Sequence, residues 1–122
     1  LREDFNSGIR TLLGSGLVYE ILIYERHLAD TIAFVDGHPQ QVFVLDHVAK
    51  PLILGGVLEP WATRMKELGQ RENVWCKVSG MVTEADWKSW SPESILPASA
   101  SRSKRQCLAG QQSTSTGCEC VF

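Results

Sequence analysis

No stretch of this chain is apolar over the roughly 20 residues that a helical membrane span requires. A run such as Leu12 to Tyr24 is broken by Gly14, Ser15, Gly16 and Glu20, so no membrane partner is expected. An excess of one charge is missing as well. Twelve Lys and Arg against 14 Asp and Glu leave a net charge of −2, which gives no electrostatic footprint for nucleic acid or an anionic surface. Phosphate fingerprints are absent too: Gly14-Ser-Gly16 is only a two-glycine stop, and no Gly-x-Gly-x-x-Gly or Walker pattern occurs, so nucleotide binding is not expected. Cysteine is sparse, with Cys76 in an apolar stretch and Cys107, Cys118 and Cys120 near the end. Cys118-x-Cys120 is tighter than the two-residue zinc knuckle and has no His beside it, so no metal site is expected there. The opening residues Leu1-Arg-Glu-Asp-Phe5 are charged, unlike the apolar core of a secretory signal. The expectation is a reducing, cytoplasmic setting with Cys76 as a small buried hydrophobe.

What is present suffices for one modest core. At 122 residues and 43% hydrophobic the chain is too short for two ordinary domains. Phe5, Ile9, Leu12 and Leu13 recur at helical spacing and Gly14 and Gly16 end the helix. A strand is expected over 17–24. Leu28, Ile32 and Val35 then mark an amphipathic helix from about Glu25 to Asp36, closed by Gly37 and Pro39. A strand from Val42, a helix carrying Trp61, Met65 and Leu68, and a strand from Asn73 to Ser79 complete the alternation. Strands separated by single helices specify parallel βαβ units. The fold class is therefore α/β, with about three strands and three helices in one curved parallel sheet. An open doubly wound sheet and a piece of an eight-stranded barrel both satisfy that pattern.

The run Val42-Phe-Val-Leu-Asp46-His47-Val-Ala-Lys50-Pro51 concentrates the chemistry. Its apolar start reads as a strand covered on both faces, and parallel strands present their functional groups at their carboxyl ends. Asp46, His47 and Lys50 sit at that end. A structural or partly exposed histidine is the plainer reading of these residues alone, and a functional one the alternative. From about Ser94 the pattern is lost in Ser-, Gly-, Thr- and Gln-rich text, where Arg102, Lys104 and Arg105 form a short basic cluster in a solvated setting. A body over 1–93 and a disordered tail over 94–122 are expected.

Three blocks carry a resemblance: Val44-Leu-Asp-His47-Val-Ala-Lys50-Pro51, Leu58-Glu-Pro-Trp61, and Asn73-Val-Trp-Cys-Lys77-Val-Ser-Gly80-Met-Val-Thr-Glu84-Ala-Asp-Trp87. Over residues 5–90 the chain resembles the amidohydrolase-related family of barrel hydrolases, in particular its sugar lactonase branch. The resemblance implies a fragment of a (β/α)8 barrel, a small sugar lactone as substrate, and a divalent metal such as zinc in full-length members. His47 is then a candidate catalytic group or metal ligand. Lys77, on the same side of its strand as Ser79 and opposite to Cys76 and Val78, is a candidate catalytic cation or a snorkelling edge lysine. Glu20, Lys50 and Trp87 are substrate-binding candidates. Trp87 would floor a sugar pocket or pack a helix on the barrel, and Glu20 needs either a partner or an open pocket.

The departures are as informative. No His-x-His pair occurs among His27, His38 and His47, and the closing Gly-Ser-Asp-Trp-Pro block is absent. A whole barrel needs about 200 residues or more. No cofactor is therefore expected for this chain alone, no turnover is expected from it, and its open sheet edges, with Val44 and Val78 exposed, are expected to favour self-association.

Overall fold

The computed structural model describes residues 2–99. Helix α1 (Glu3–Leu13) leads to strand β1 (Tyr19–Ile21), helix α2 (Leu28–Asp36), strand β2 (Phe43–Leu45), helix α3 (Trp61–Leu68), strand β3 (Val74–Cys76) and helix α4 (Pro92–Ser99). The strands form one parallel sheet in the order β1-β2-β3. Tyr19, Phe43 and Val74 lie level, as do Glu20, Val44 and Trp75, and then Ile21, Leu45 and Cys76.

Alternation along these strands divides the sheet into two unlike faces. Phe43, Leu45, Ile21 and Val74 turn to the helix side. There they join Leu28, Ile32 and Val35 of α2 and Trp61 and Leu68 of α3 in one buried cluster. An aromatic group closes its edge. Phe34 stands 5.1 Å from Phe43 and 5.5 Å from Phe5, ring centre to ring centre, and Tyr19 packs edge-on to Phe5 and Phe43. At the amino ends of the strands, side-chain amides satisfy the chain. Gln41 donates to the carbonyls of Leu17 and Val42, and Asn73 to those of Gln41 and His38. That end serves stability and leaves the carboxyl ends for ligands.

The strands are shorter than the sequence suggests. β1 pairs on one side only, and Leu17, Val18 and Leu22 beyond its ladder are largely exposed. The helix expected from Glu25 is a 3-10 turn (Glu25–His27) running into α2, where the Thr31 hydroxyl donates to the His27 carbonyl. Val44, expected to stand open, is only 4% exposed. Its register neighbours Glu20 and Trp75 flank it, and an ion pair from β1 to the end of β3 passes over it. The boundary expected at Ser94 falls inside α4. Ile95 is buried and α4 lies against the Met81–Glu84 turn, so the packed body runs past residue 93. The disorder expected beyond Ser99 lies outside the described residues. Among the described residues no helix is long and apolar enough to cross a membrane.

Candidate functional site

The register that levels Leu45 with Cys76 brings the next residues, Asp46 and Lys77, side by side on the face away from the helices. Lys77 Nζ lies 2.6 Å from Glu20 Oε1 and 2.9 Å from Asp46 Oδ1. One ammonium thus links the middle of β1 to the carboxyl ends of β2 and β3, and its side chain necessarily crosses β2 to reach Glu20. The Glu20 carboxylate, and then that of Asp46, hold the Lys77 pKa above its ordinary value. Lys77 is therefore a fixed cation at neutral pH and not a proton acceptor. Asp46 is the most enclosed of the three, its side chain 13% exposed against 58% for Glu20. The ion pair of Asp46 with Lys77 depends on strand register, which no local pattern encodes.

Immediately after β2 the backbone turns left-handed. His47, Val48, Ala49 and Lys50 have φ of 52°, 47°, 58° and 50°. For side-chain-bearing residues this conformation costs about 1–2 kcal/mol each, so surrounding contacts must hold it. Val48 and Ala49 are buried. The Val48 N–H donates to the Lys77 carbonyl at 3.2 Å, and the buried Trp61 indole donates to the Val48 carbonyl at 2.7 Å. Pro51 adds a local bias, because the residue before proline is disfavoured in the right-handed helical region.

The turn swings His47 toward the end of β3. Its Nδ1 lies 2.9 Å from Ser79 Oγ. Gly80, at φ 67°, passes so close that a Cβ there would stand 2.8 Å from His47 Nδ1. Cys76 and Val78 pack against the core, while Lys77 and Ser79 meet the polar groups of the opposite face, as alternation requires. Lys50 belongs to a separate group: its Nζ is 4.0 Å from Glu84 Oε1 and 5.1 Å from the centre of the Tyr24 ring. Trp87 is 75% exposed, its indole N–H on the Thr83 carbonyl, so it packs no helix. The structure brings Glu20, Asp46 and Lys77 into direct contact and seats His47 on Ser79 and Gly80. Lys50 and Trp87 are not drawn into either group. Tyr24 carries no motif that marks its role, and the block that contains Trp61 gives no sign of its hydrogen bond to Val48.

The donor set does not fit a zinc ion on its own. Asp46 is engaged by Lys77, and among the described residues no three His, Cys, Asp or Glu side chains converge as a metal site would require.

Comparison with known proteins gives a consistent picture. The amidohydrolase family model matches residues 8–102. Two proteins named L-fucono-1,5-lactonase are similar. The one from Burkholderia multivorans is 38% identical over 110 residues, which is 86% of this chain and 36% of that protein. The one from Burkholderia ambifaria is 42% identical over 77 residues, 63% of this chain and 27% of that protein. A crystal structure of an amidohydrolase from Burkholderia multivorans with bound zinc superposes with a TM-score of 0.75 at 34% identity, over 82% of this chain and 37% of that one. The chain thus spans about a third of the length of its relatives, and its three-stranded layer is the corresponding part of a (β/α)8 barrel.

Proposed function

The chain belongs to the amidohydrolase family, and from that premise we propose that it carries three adjacent strands of a sugar-lactone hydrolase site. The observation behind this reading is the junction of Glu20 on β1 with Asp46 and Lys77 at the carboxyl ends of β2 and β3, the end at which barrel enzymes place their chemistry. Opening a lactone requires water at the carbonyl carbon, a counter-charge for the carbonyl oxygen as it becomes an oxyanion, and a proton for the ring oxygen as its bond to that carbon breaks. Lys77 suits the second task as a preorganised cation. His47, seated beside Ser79, would offer a further polar contact to the substrate. Glu20, open to solvent beyond its ion pair, and Lys50 suit the hydroxyls of a sugar, and the exposed Trp87 ring suits its apolar face.

By the resemblance, the group that takes the proton from water belongs to the closing Gly-Ser-Asp-Trp-Pro block. The absent His-x-His pair and Gly-Ser-Asp-Trp-Pro block are where the resemblance would place the remaining machinery. A second reading follows from that absence: by itself the chain is a non-catalytic part of such an enzyme, and its two outer strands are open edges through which it self-associates. No step is assigned to a metal, because the donors present do not make a site for one.

The test is a chimera in which residues 3–99 replace the aligned segment of the Burkholderia multivorans lactonase. Measurable hydrolysis of L-fucono-1,5-lactone by a folded chimera is expected, and none above background by the free chain. A folded chimera without activity would contradict the lactone reading.

A further inference from the structure

We propose that Lys50 and Glu84, steadied by Tyr24, form an outer subsite that grips a ring hydroxyl of the substrate and so selects hydroxylated lactones over plain ones. Each of the three loops that follow the strands supplies one member. Tyr24 stands three residues beyond β1, Lys50 lies in the segment between β2 and α3, and Glu84 closes the Met81–Glu84 turn after β3. The group thus follows the junction of Glu20, Asp46 and Lys77 along the same chain segments, at the end of the sheet where barrel enzymes bind their substrates.

Backbone and ring contacts hold these loops. The Leu54 N–H donates to the Glu84 carbonyl at 2.9 Å, and the Lys50 N–H to the His47 carbonyl at 2.9 Å. The centre of the Tyr24 ring lies 5.1 Å from Lys50 Nζ and 4.7 Å from the Arg26 guanidinium carbon, and the electron-rich ring face attracts both cations. Lys50 and Glu84 are more enclosed than Lys77 and Glu20, their side chains 27% and 22% exposed against 35% and 58%. Even so, Lys50 Nζ and Glu84 Oε1 stand 4.0 Å apart, too far for a direct hydrogen bond. The Thr83 hydroxyl lies 3.3 Å from Glu84 Oε1 and donates to the Gly80 carbonyl at 2.6 Å. One oxygen about 2.8 Å from both Nζ and Oε1 fits the gap. A hydroxyl suits that place, because it accepts from an ammonium, which only donates, and donates to an ionised carboxylate, which only accepts. An ester or ring oxygen does only the first. Water satisfies the same geometry, and a sugar hydroxyl that makes both bonds can replace it.

The selection among lactones rests on the lactone-hydrolase reading; the subsite does not, because its residues all belong to this chain. Two measurements separate them. Saturation-transfer NMR on the full chain with L-fucitol, an uncharged polyol, should show transfer to the polyol protons. Lys50→Met and Glu84→Leu should each remove most of it, with circular dichroism establishing that the variants are folded like wild type. In the folded chimera, kcat/KM for L-fucono-1,5-lactone is divided by that for δ-valerolactone, the same ring without hydroxyls. This ratio should fall about 10- to 100-fold in either variant, the effect of losing a hydrogen bond to a charged group. The loss should lie in KM, as for a contact made equally in the ground and transition states. Glu84→Gln, whose amide oxygen still accepts, should lose less than Glu84→Leu. No transfer in wild type, undiminished transfer in either variant, or an unchanged ratio in an active chimera would overturn the proposal. Transfer that depends on Lys50 and Glu84, together with an inactive chimera, would count against the lactone reading alone.

Discussion

Replacing Gly80 by alanine isolates the packing that fixes the histidine, because three glycines of this chain separate the physical effects. At Gly8, inside α1, an added Cβ meets nothing within 4 Å. Gly8→Ala should therefore stabilise by about 0.5–1 kcal/mol through helix propensity alone. Gly16 also has open space but a φ of 70°, so Gly16→Ala carries the left-handed penalty by itself, about 1 kcal/mol. Gly80 combines that penalty, at φ 67°, with a contact of 2.8 Å to the His47 ring. The ring is tied to Ser79 and its backbone is pinned through Val48, so it cannot retreat without losing hydrogen bonds. Overpacking of that kind costs about 1–3 kcal/mol, which brings Gly80→Ala to about 2–4 kcal/mol, a large part of the stability of a small domain. Urea unfolding followed by circular dichroism, with all three variants at equal slope, measures the differences. If Gly80→Ala proved no more costly than Gly16→Ala, the seat described for His47 would be wrong.

Trp61→Phe removes the indole donor from the Val48 carbonyl while keeping a large ring, and should cost about 1–3 kcal/mol for the buried carbonyl left unpaired; a loss below about 0.5 kcal/mol in the same urea assay would show that the left-handed turn needs no such anchor. The Arg71 guanidinium, bound to both oxygens of Asp36, holds that carboxyl below its ordinary value of 3.8. A depressed folded-state pKa gives a contribution that is complete above the ordinary value and fades as the pH falls through the folded one, so Asp36→Asn should flatten the acid limb of the stability profile and leave the alkaline limb unchanged. Truncation separates the end of the body from the tail. Chain 1–99 should melt like the whole protein, whereas chain 1–93 loses Ile95, 7% exposed, and should be less stable by about 1.5–3 kcal/mol; equal melting of the two would detach α4 from the core.

Apolar periodicity carried the alternation of helix and strand and the choice of core face, because Leu28, Ile32, Val35, Phe43, Leu45, Trp61 and Leu68 are spaced for it and are all buried. The ends of the strands were less legible. Leu17 and Val18 have strand-forming character, but a ladder also needs a partner, and β1 finds one only opposite 43–45. At the site, Glu20, His47, Lys50, Lys77 and Trp87 stand out as chemical types in the sequence. Their grouping does not, since the Lys77 bridge depends on residues 57 and 31 positions away being brought onto neighbouring strands by parallel pairing. The four left-handed residues from His47 to Lys50 are the clearest gap: none is glycine, and only Pro51 hints at an unusual backbone. Tertiary contacts from Trp61 and Lys77 hold that turn, and these lie beyond any local pattern.

If the Lys77 ammonium stands at the oxygen of a lactone carbonyl, as proposed, steady-state kinetics of the chimera with Lys77→Met will register its loss. The side chain keeps its length and loses its charge, so kcat on L-fucono-1,5-lactone should fall by about 10²–10³, the effect of removing one oxyanion donor, while KM changes little. A Lys77→Met chimera with undiminished kcat, or with a raised KM alone, would rule out that role and reduce Lys77 to a structural clasp between β1 and β3.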